Sequence, residues 1–387
     1  MDLSRFKSGS DIRGYALGDE SNPLYMSDDM VMRCCAAFVN WLKTRTGKDK
    51  LYISVGHDSR LSAERIKAAA VKALTSHGVS VADCSLCSTP AMFMTTVEMG
   101  CDGAVQITAS HHPKDRNGLK FFTRGGGLDG SDIADILRAA AELPDTIGSE
   151  EGECVECGFM KRYAELLRNM IIEGVDSESD RLHPLRSMKI AVDAGNGVGG
   201  FYAYDVLAPL GADISGSQFL EPDGMFPNHI PNPENGAAME SVCRATVRAK
   251  ADLGVIFDTD VDRGGAVDSK GDELNRNRLV AIASAIALEG NEGGTIVTDS
   301  ITSSGLKEYI EKTLGGHHHR FKRGYRNVIN EAVRLNKEGV NCPLAIETSG
   351  HAALRENYFL DDGAYLVTKI IIKLATLRRQ GKDLETM

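Results

Sequence analysis

Three short stretches bring together side chains that can do chemistry. In Thr108-Ala-Ser-His-His-Pro-Lys-Asp-Arg-Asn-Gly-Leu-Lys120, Ser110 stands beside His111 and His112, with Lys114, Arg116 and Lys120 close behind. A hydroxyl among cations, on a loop held by a rigid scaffold, is a candidate carrier of a phosphoryl group; its alternative is a polar surface turn. Asp258-Thr-Asp-Val-Asp-Arg263 places Asp258, Asp260 and Asp262 at alternate positions. Carboxylates so close repel one another, and a hard divalent cation relieves that, oxygen-only ligands favouring Mg²⁺. Glu347-Thr-Ser-Gly-His351 offers a carboxylate, two hydroxyls and an imidazole within one loop, a set able to hydrogen-bond vicinal sugar hydroxyls or simply to form a turn.

Each stretch has competing readings. The acidic loop is not an EF-hand, because its sixth position is Arg263 and its twelfth is Ser269. It could be a solvated acidic turn. It could also place Asp258 as nucleophile, as in haloacid-dehalogenase-like phosphatases with DxDx[TV], but Asp262 occupies the Thr/Val position. Gly195, Gly197 and Gly200 satisfy GxGxxG, with Asp213 or Glu221 as candidate ribose acids. That pattern alone is weak, and a tight strand-to-helix turn explains it better. His317 to Arg326 gathers imidazoles and guanidinium groups able to attract phosphate, although a solvated loop is the simpler account. Cys84/Cys87 and Cys154/Cys157 have Cys-x-x-Cys spacing, but the gap between the pairs is unlike a compact zinc ribbon, and they are read as packing residues.

The elements that must position these loops alternate. Apolar runs predict strands at Leu51–Val55, Val79–Ala82, Gly103–Ile107, Leu119–Phe122, Met188–Ala194, Asp252–Phe257, Thr295–Thr298 and just before Glu347. Between them, helical spacing predicts helices at Met30–Leu42, Ser62–Leu74, from Thr89, Tyr163–Ile172, through Leu210, Ala237–Lys250, Ser304–Leu314 and after Asp361-Asp-Gly363 to about Leu377. The Gly- and charge-rich Gly148–Gly158 reads as a linker, and His317–Arg326 as a loop. The fold class is α/β: three successive related α/β domains with mixed, mainly parallel sheets flanked by helices. Their expected bounds are 1–157 with the Ser110 loop, 158–277 with the acidic loop and 278–387 with the Glu347 loop.

Composition narrows the function. With 42% hydrophobic and 25% charged residues, the 387-residue chain is that of a soluble globular protein. A formal charge of -10 argues against nucleic acid but not against an anionic small substrate in a locally basic cleft. No apolar run is long enough to span a membrane. Nine cysteines, an odd number, and no signal core before Asp11 point to free thiols in a reducing, cytoplasmic setting.

Taken in order along the chain, Asp11-Ile-Arg-Gly14, Thr108-Ala-Ser-His-His-Pro113 with Asn117-Gly-Leu-Lys120, Asp193-Ala-Gly-Asn-Gly197, Pro222-Asp-Gly-Met-Phe-Pro-Asn-His229, Asp258–Arg263 and Glu347–His351 resemble the α-D-phosphohexomutase superfamily, the phosphoglucomutase/phosphomannomutase enzymes. The resemblance implies an intramolecular phosphotransferase that interconverts hexose 1-phosphate and hexose 6-phosphate of glucose, mannose or both. Ser110 is then a phosphoserine, which with Asp258, Asp260 and Asp262 holds Mg²⁺, and a hexose 1,6-bisphosphate is intermediate and activator. Lys120, His111 and Arg13 are candidates for proton handling or charge stabilisation. Arg263, Tyr325, Glu347, Thr348, Ser349, Gly350 and His351 are expected on the substrate side. A monomer or weak dimer is expected.

The departures are Ser10 for a tyrosine, His112 for the commoner asparagine, Tyr325 for a histidine and Ile346 for a glycine; they bear on which sugar is used. No Arg-x-Ser-Gly-Thr-like loop of a fourth domain precedes Met387. Slow turnover by this chain is therefore expected, with a sugar-phosphate phosphatase or a non-catalytic sugar-phosphate-binding relative as alternatives.

Overall fold

The structure, a computed structural model, describes residues 2–18, 21–144, 148–178 and 180–384. It divides into two compact units, one of Met1–Met160 with Asp223–Pro227, the other of Lys161–Pro222 with Asn228–Met387.

The first unit is built on one mixed sheet. Across it run Lys7–Ser8, Asp11–Tyr15, Arg116–Thr123, Gly103–Ile107, Tyr52–His57, Ser80–Leu86 and Cys154–Glu156. The last four are mutually parallel, and Arg116–Thr123 is antiparallel to both its neighbours. Strand alternation decides the two faces. Ile53 and Val55 enter the core formed with helices Asp28–Thr46, Ala63–Ser76 and Gly130–Glu142. Ser54 and Gly56 face the helix Thr89–Glu98, where the Ser54 hydroxyl lies 2.5 Å from that of Thr95. Gly56 is required there, since a Cβ would lie 2.5 Å from Met92 Sδ. The first helix starts at the Ser27 cap on the Met30 amide and ends at Gly47, which takes the left-handed conformation that terminates helices.

The second unit carries two sheets. Gly264–Asp268, Leu253–Phe257 and Ile190–Asp193 form a three-stranded one, and His317–Arg320, Thr295–Thr298, Leu344–Ile346, Ala352–Leu354 and Leu360–Asp361 a five-stranded one. Both are mixed, with antiparallel strands on one side. The helix Gly236–Ala249 packs Ala238, Met239 and Val242 against Ile256 and Val267. The strongly amphipathic helix Tyr325–Lys337 packs Val328, Ile329, Ala332 and Leu335 against Val297 and Ala345.

Several expectations change. The Gly148–Gly158 linker contains the strand Cys154–Glu156, paired in parallel with Val81–Asp83. All three of its residues are exposed, so it carries no apolar signal. The stretch at His317 is a strand through Arg320, on the sheet edge beside Thr295–Thr298. The Ser110 loop is shorter than Thr108–Lys120, because the strand after it begins at Arg116. The strand Gly264–Asp268 and the helix Asn277–Leu288 were not expected at all. Where helices were expected through Leu210 and from Ser304 to Leu314, the turns widen to π-helix at Tyr202–Leu207 and Tyr309–Thr313.

The His317 strand makes a pH-dependent contribution. His318 Nε2 lies 2.7 Å from Thr298 Oγ1, while its Nδ1 is buried with no hydrogen-bond partner among the described residues. Burial first, then Arg320, push its pKa down to about 4. The unfolded imidazole titrates near the ordinary 6.5, so between these values the unfolded chain binds more protons than the folded one. Stability is then expected to fall as pH drops from about 6.5 towards 4, by at most ~1.4 kcal/mol per pH unit. Urea unfolding of wild type and His318→Gln at pH 5 and pH 7 checks this: the wild type should lose more on acidification than the variant.

Candidate active site

The Ser110 loop is shaped from beneath by two residues that close the Tyr52–His57 strand. Asp58 accepts from the Thr108 hydroxyl at 2.6 Å and from the Arg60 amide at 3.0 Å. Its carboxylate also pairs with the Arg60 guanidinium at 3.2 Å, both side chains fully buried. Arg60 then donates to four main-chain carbonyls of the loop: Pro113 at 2.7 Å, Arg116 at 2.9 Å, Ser110 at 2.5 Å and His112 at 2.6 Å. The Thr108 hydroxyl accepts the Ser110 amide at 2.9 Å. So tied, Ser110 adopts φ 50°, a left-handed conformation a serine does not favour. Such strain is held only where surroundings over-determine it. Phe226, from the short segment that joins this unit, lies with its ring 5.5 Å from the Arg60 guanidinium.

Around the serine, His111 Nδ1 is 3.4 Å from Ser110 Oγ. Lys120 is buried on the strand that leaves the loop, opposite Gln106. Arg13 lies opposite Gly118 and pairs with Asp11 at 2.7 Å. Gly118 allows that approach, since a Cβ there would sit 2.5 Å from the Ile12 carbonyl and 2.7 Å from that of Thr108. Ser110, His111, Lys120 and Arg13 thus all belong to the first unit, on adjacent strands and their loop.

Replacing Arg60 by lysine keeps the charge but removes the planar fork, and one ammonium cannot serve four carbonyls. We expect Arg60→Lys to destabilise the fold by about 2–3 kcal/mol, because buried carbonyls lose their partners. Turnover should fall with it. Urea unfolding beside an activity assay checks both; a variant as stable and active as wild type would contradict this role.

In the second unit, Asp258–Arg263 is the six-residue connection between antiparallel strands Leu253–Phe257 and Gly264–Asp268. Val261 takes φ 67°, rare for a β-branched residue, which folds the loop back on itself. One oxygen from each of Asp258, Asp260 and Asp262 lies within 4.8 Å of the others, and all three residues are buried. Arg263 is buried too, its Nη2 3.0 Å from Asp258 and its Nε 3.8 Å from Asp262. Burial opposes its charge, but the Asp258, Asp262 and Asp260 carboxylates outweigh it and raise its pKa. Asp258, Asp260 and Asp262, with Arg263 beside them, make a buried, oxygen-only donor set. That set fits a hard cation such as Mg²⁺.

The Glu347 loop adjoins it within the same unit. His351 bridges to Arg263, and Gly350, at φ 94°, would put a Cβ 2.8 Å from the Gly264 carbonyl. Glu347 accepts the Gly324 amide at 2.6 Å and lies 3.4 Å from the Ser349 hydroxyl. Burial raises its pKa, against that amide, which lowers it. Thr348 donates its hydroxyl to Asp299 at 2.9 Å. His351 Nδ1 is 2.5 Å from Asp361, and its ring stacks on Tyr325 at 4.9 Å. Burial opposes protonation of His351, but Asp361 outweighs it and raises the pKa. Asp262, His351 and Asp361 form a second close group. Tyr325 and Glu347 to His351 therefore sit together beside the acidic loop.

The glycine turn is filled by protein. A Cβ at Gly197 would lie 2.6 Å from the Thr259 carbonyl, and one at Gly200 2.1 Å from that of Leu220. These glycines let the turn pack under the acidic loop, as a scaffold. Beside it, His229 Nε2 lies 3.0 and 3.1 Å from the two oxygens of Asp193. Burial disfavours its charge, yet that carboxylate raises its pKa.

Profiles for phosphoglucomutase/phosphomannomutase α/β/α domains I, II and III match residues 5–145, 161–271 and 275–387. A phosphoglucomutase of Neisseria gonorrhoeae is 30% identical over 336 residues, 87% of this chain and 69% of its own. The chain belongs to the phosphoglucomutase/phosphomannomutase family. It is likewise similar to the phosphomannomutase/phosphoglucomutase of Pseudomonas syringae pv. tomato, 29% identical over 89% of this chain and 71% of that one. The solved structure of a phosphoglucomutase/phosphomannomutase family protein from Burkholderia thailandensis superposes with a TM-score of 0.80 at 26% identity, covering 97% of this chain and 78% of that one. As a member of this family the chain is an enzyme of the intramolecular phosphotransferase class.

Asp58 and Arg60 were not among the residues expected at the site. Their stretch, Gly56-His-Asp-Ser-Arg60, reads as a loop ending a strand; an acid and a base two residues apart at a strand end was the available signal. Asp299, the support of Thr348, also stands at a strand end, in Val297-Thr-Asp299, but its partner lies 49 residues away.

Proposed function

We propose that this chain interconverts hexose 1-phosphate and hexose 6-phosphate, of glucose, mannose or both, by carrying a phosphoryl group on Ser110. The observation that carries the reading is the Ser110 loop itself: a buried serine, in a strained conformation, set by the Asp58–Arg60 pair in a chain of this family. Starting from phosphoserine, the bond from phosphorus to Ser110 Oγ breaks as one forms to the free C1 or C6 hydroxyl of the substrate. The proton of that hydroxyl passes to a base, for which His111 and Lys120 are the candidates, Ser110 Oγ takes up a proton as it leaves, and a hexose 1,6-bisphosphate results. The bisphosphate turns over, and its other phosphoryl returns to Ser110 with the opposite change of bonds.

Asp258, Asp260 and Asp262 would hold Mg²⁺, which when bound stabilises charge on the transferring group. Arg263 keeps Asp258 in place and acts through it. Glu347 and Ser349 offer an acceptor and a hydroxyl to sugar hydroxyls, with Tyr325 and His351 stacked beside them.

The test incubates the chain with glucose 1-phosphate or mannose 1-phosphate, Mg²⁺ and the matching 1,6-bisphosphate, following products by phosphorus NMR. Appearance of the 6-phosphate, with one added phosphoryl group on the Ser110 peptide by mass spectrometry, is the expected result. Inorganic phosphate without isomer would make the protein a phosphatase. Ligand binding with neither product would make it a non-catalytic relative.

A further inference from the structure

The two Cys-x-x-Cys pairs have no part in the proposed phosphoryl chemistry, yet the fold sets two of these thiols side by side. Strands Ser80–Leu86 and Cys154–Glu156 pair in parallel with Val81 opposite Cys154, Ala82 opposite Val155 and Asp83 opposite Glu156. One step further brings Cys84 level with Cys157. The Cys157 amide donates to the Asp83 carbonyl at 2.6 Å, which keeps the chains together at that step. Neighbouring strands lie about 4.7–4.9 Å apart, within the Cα separation of about 4.4–6.8 Å that a disulfide needs. The register therefore sets Cys84 and Cys157 at facing positions of neighbouring strands, and both are free thiols.

Their surroundings separate them from the other cysteines. Strand alternation turns Cys154 to the face opposite Cys157, and Cys154 is exposed. Cys101 is buried and precedes the strand Gly103–Ile107, which does not pair with Cys154–Glu156. Cys84 is buried, whereas Cys157 is half-buried and touches Met99 Sδ at 3.7 Å. One thiol of the pair can therefore meet a reagent from solvent, and the other can only meet its neighbour.

We propose that Cys84 and Cys157 form a reversible oxidative modification site, closed into an intramolecular disulfide by a low-molecular-weight disulfide, RSSR. Cys157 loses its proton and attacks one sulfur of RSSR; the oxidant's S–S bond breaks, and the departing thiolate takes up a proton to leave as RSH. Cys84 then loses its proton and attacks the Cys157 sulfur of the mixed disulfide, expelling the second thiolate, which leaves as RSH. Two protein thiols and one RSSR give one protein disulfide and two RSH. Burial first, then the adjoining thiols, push the Cys84 pKa far up. The second step is then the slow one, and the adduct on Cys157 precedes closure. The bond fastens an exposed three-residue edge strand to its sheet, just before Met160, where the first unit ends.

The test treats the whole chain with glutathione disulfide, blocks residual thiols by alkylation and maps peptides by mass, using fragment ions to place the bond. The expected product joins Cys84 to Cys157, two hydrogens lighter than the dithiol, and is reversed by a reducing agent. In Cys84→Ser the glutathione adduct should persist on Cys157. Oxidised wild type should unfold about 5 °C higher than reduced, and the variant should show no such rise. A bond from Cys157 to any other thiol, or both residues left as free thiols while Cys154 is modified, overturns the proposal; the wild-type peptide map distinguishes these outcomes without any variant.

Discussion

Replacing Ser110 by alanine is expected to cut isomerisation by roughly 10⁴-fold or more, because the atom proposed to accept the phosphoryl group would be gone. The fold should tolerate the change. Ser110 is held by its main chain, through the amide bonded to Thr108 and the carbonyl bonded to Arg60. The variant's stability is expected to stay within about 0.5 kcal/mol of wild type. The two readouts together separate a chemical role from a structural one: turnover by coupled assay should vanish, the added phosphoryl group should disappear from the peptide map, and the urea midpoint should hardly move. Isomerisation that survives in Ser110→Ala would remove the serine from the mechanism.

Asp260→Asn is expected to move stability and activity in opposite directions. Asp258, Asp260 and Asp262 are buried within 4.8 Å of one another, with Arg263 as the neighbouring guanidinium. Without a metal ion their mutual repulsion opposes folding. Neutralising Asp260 should therefore stabilise the metal-free protein, by about 1 kcal/mol, while removing a ligand charge. Thermal unfolding with and without Mg²⁺ reads both effects: the wild type should gain stability with the ion, and the variant should start higher and gain little. Turnover at fixed Mg²⁺ should drop roughly 100-fold or more. An unchanged response to Mg²⁺ would show that these carboxylates hold something else, or nothing.

How much could be read beforehand follows the range over which each feature is encoded. The alternation of strands and helices lies in local apolar periodicity, and strands such as Gly103–Ile107 and Leu253–Phe257 were placed almost to the residue. The acidic loop was legible because its three carboxylates are close in sequence. The edge strand Cys154–Glu156 was not, since an exposed strand bonds through its main chain and leaves its side chains unconstrained. Helix Asn277–Leu288 was hidden for the opposite reason: its residues are buried nearly all round, so no polar face marked a period. The partners that shape the loops, Arg60 beneath Ser110 and Asp299 beneath Thr348, act across about fifty residues. Local pattern carries no trace of such pairings.

Arg60 holds the Ser110 loop through four of its main-chain oxygens. Those four bonds are made whatever the side chains of residues 111, 112, 114 and 115 are. The number of residues, by contrast, is fixed. Adding or deleting one between Ser110 and Arg116 would slide every following carbonyl off the guanidinium, so this loop can change its chemistry by substitution but not its length.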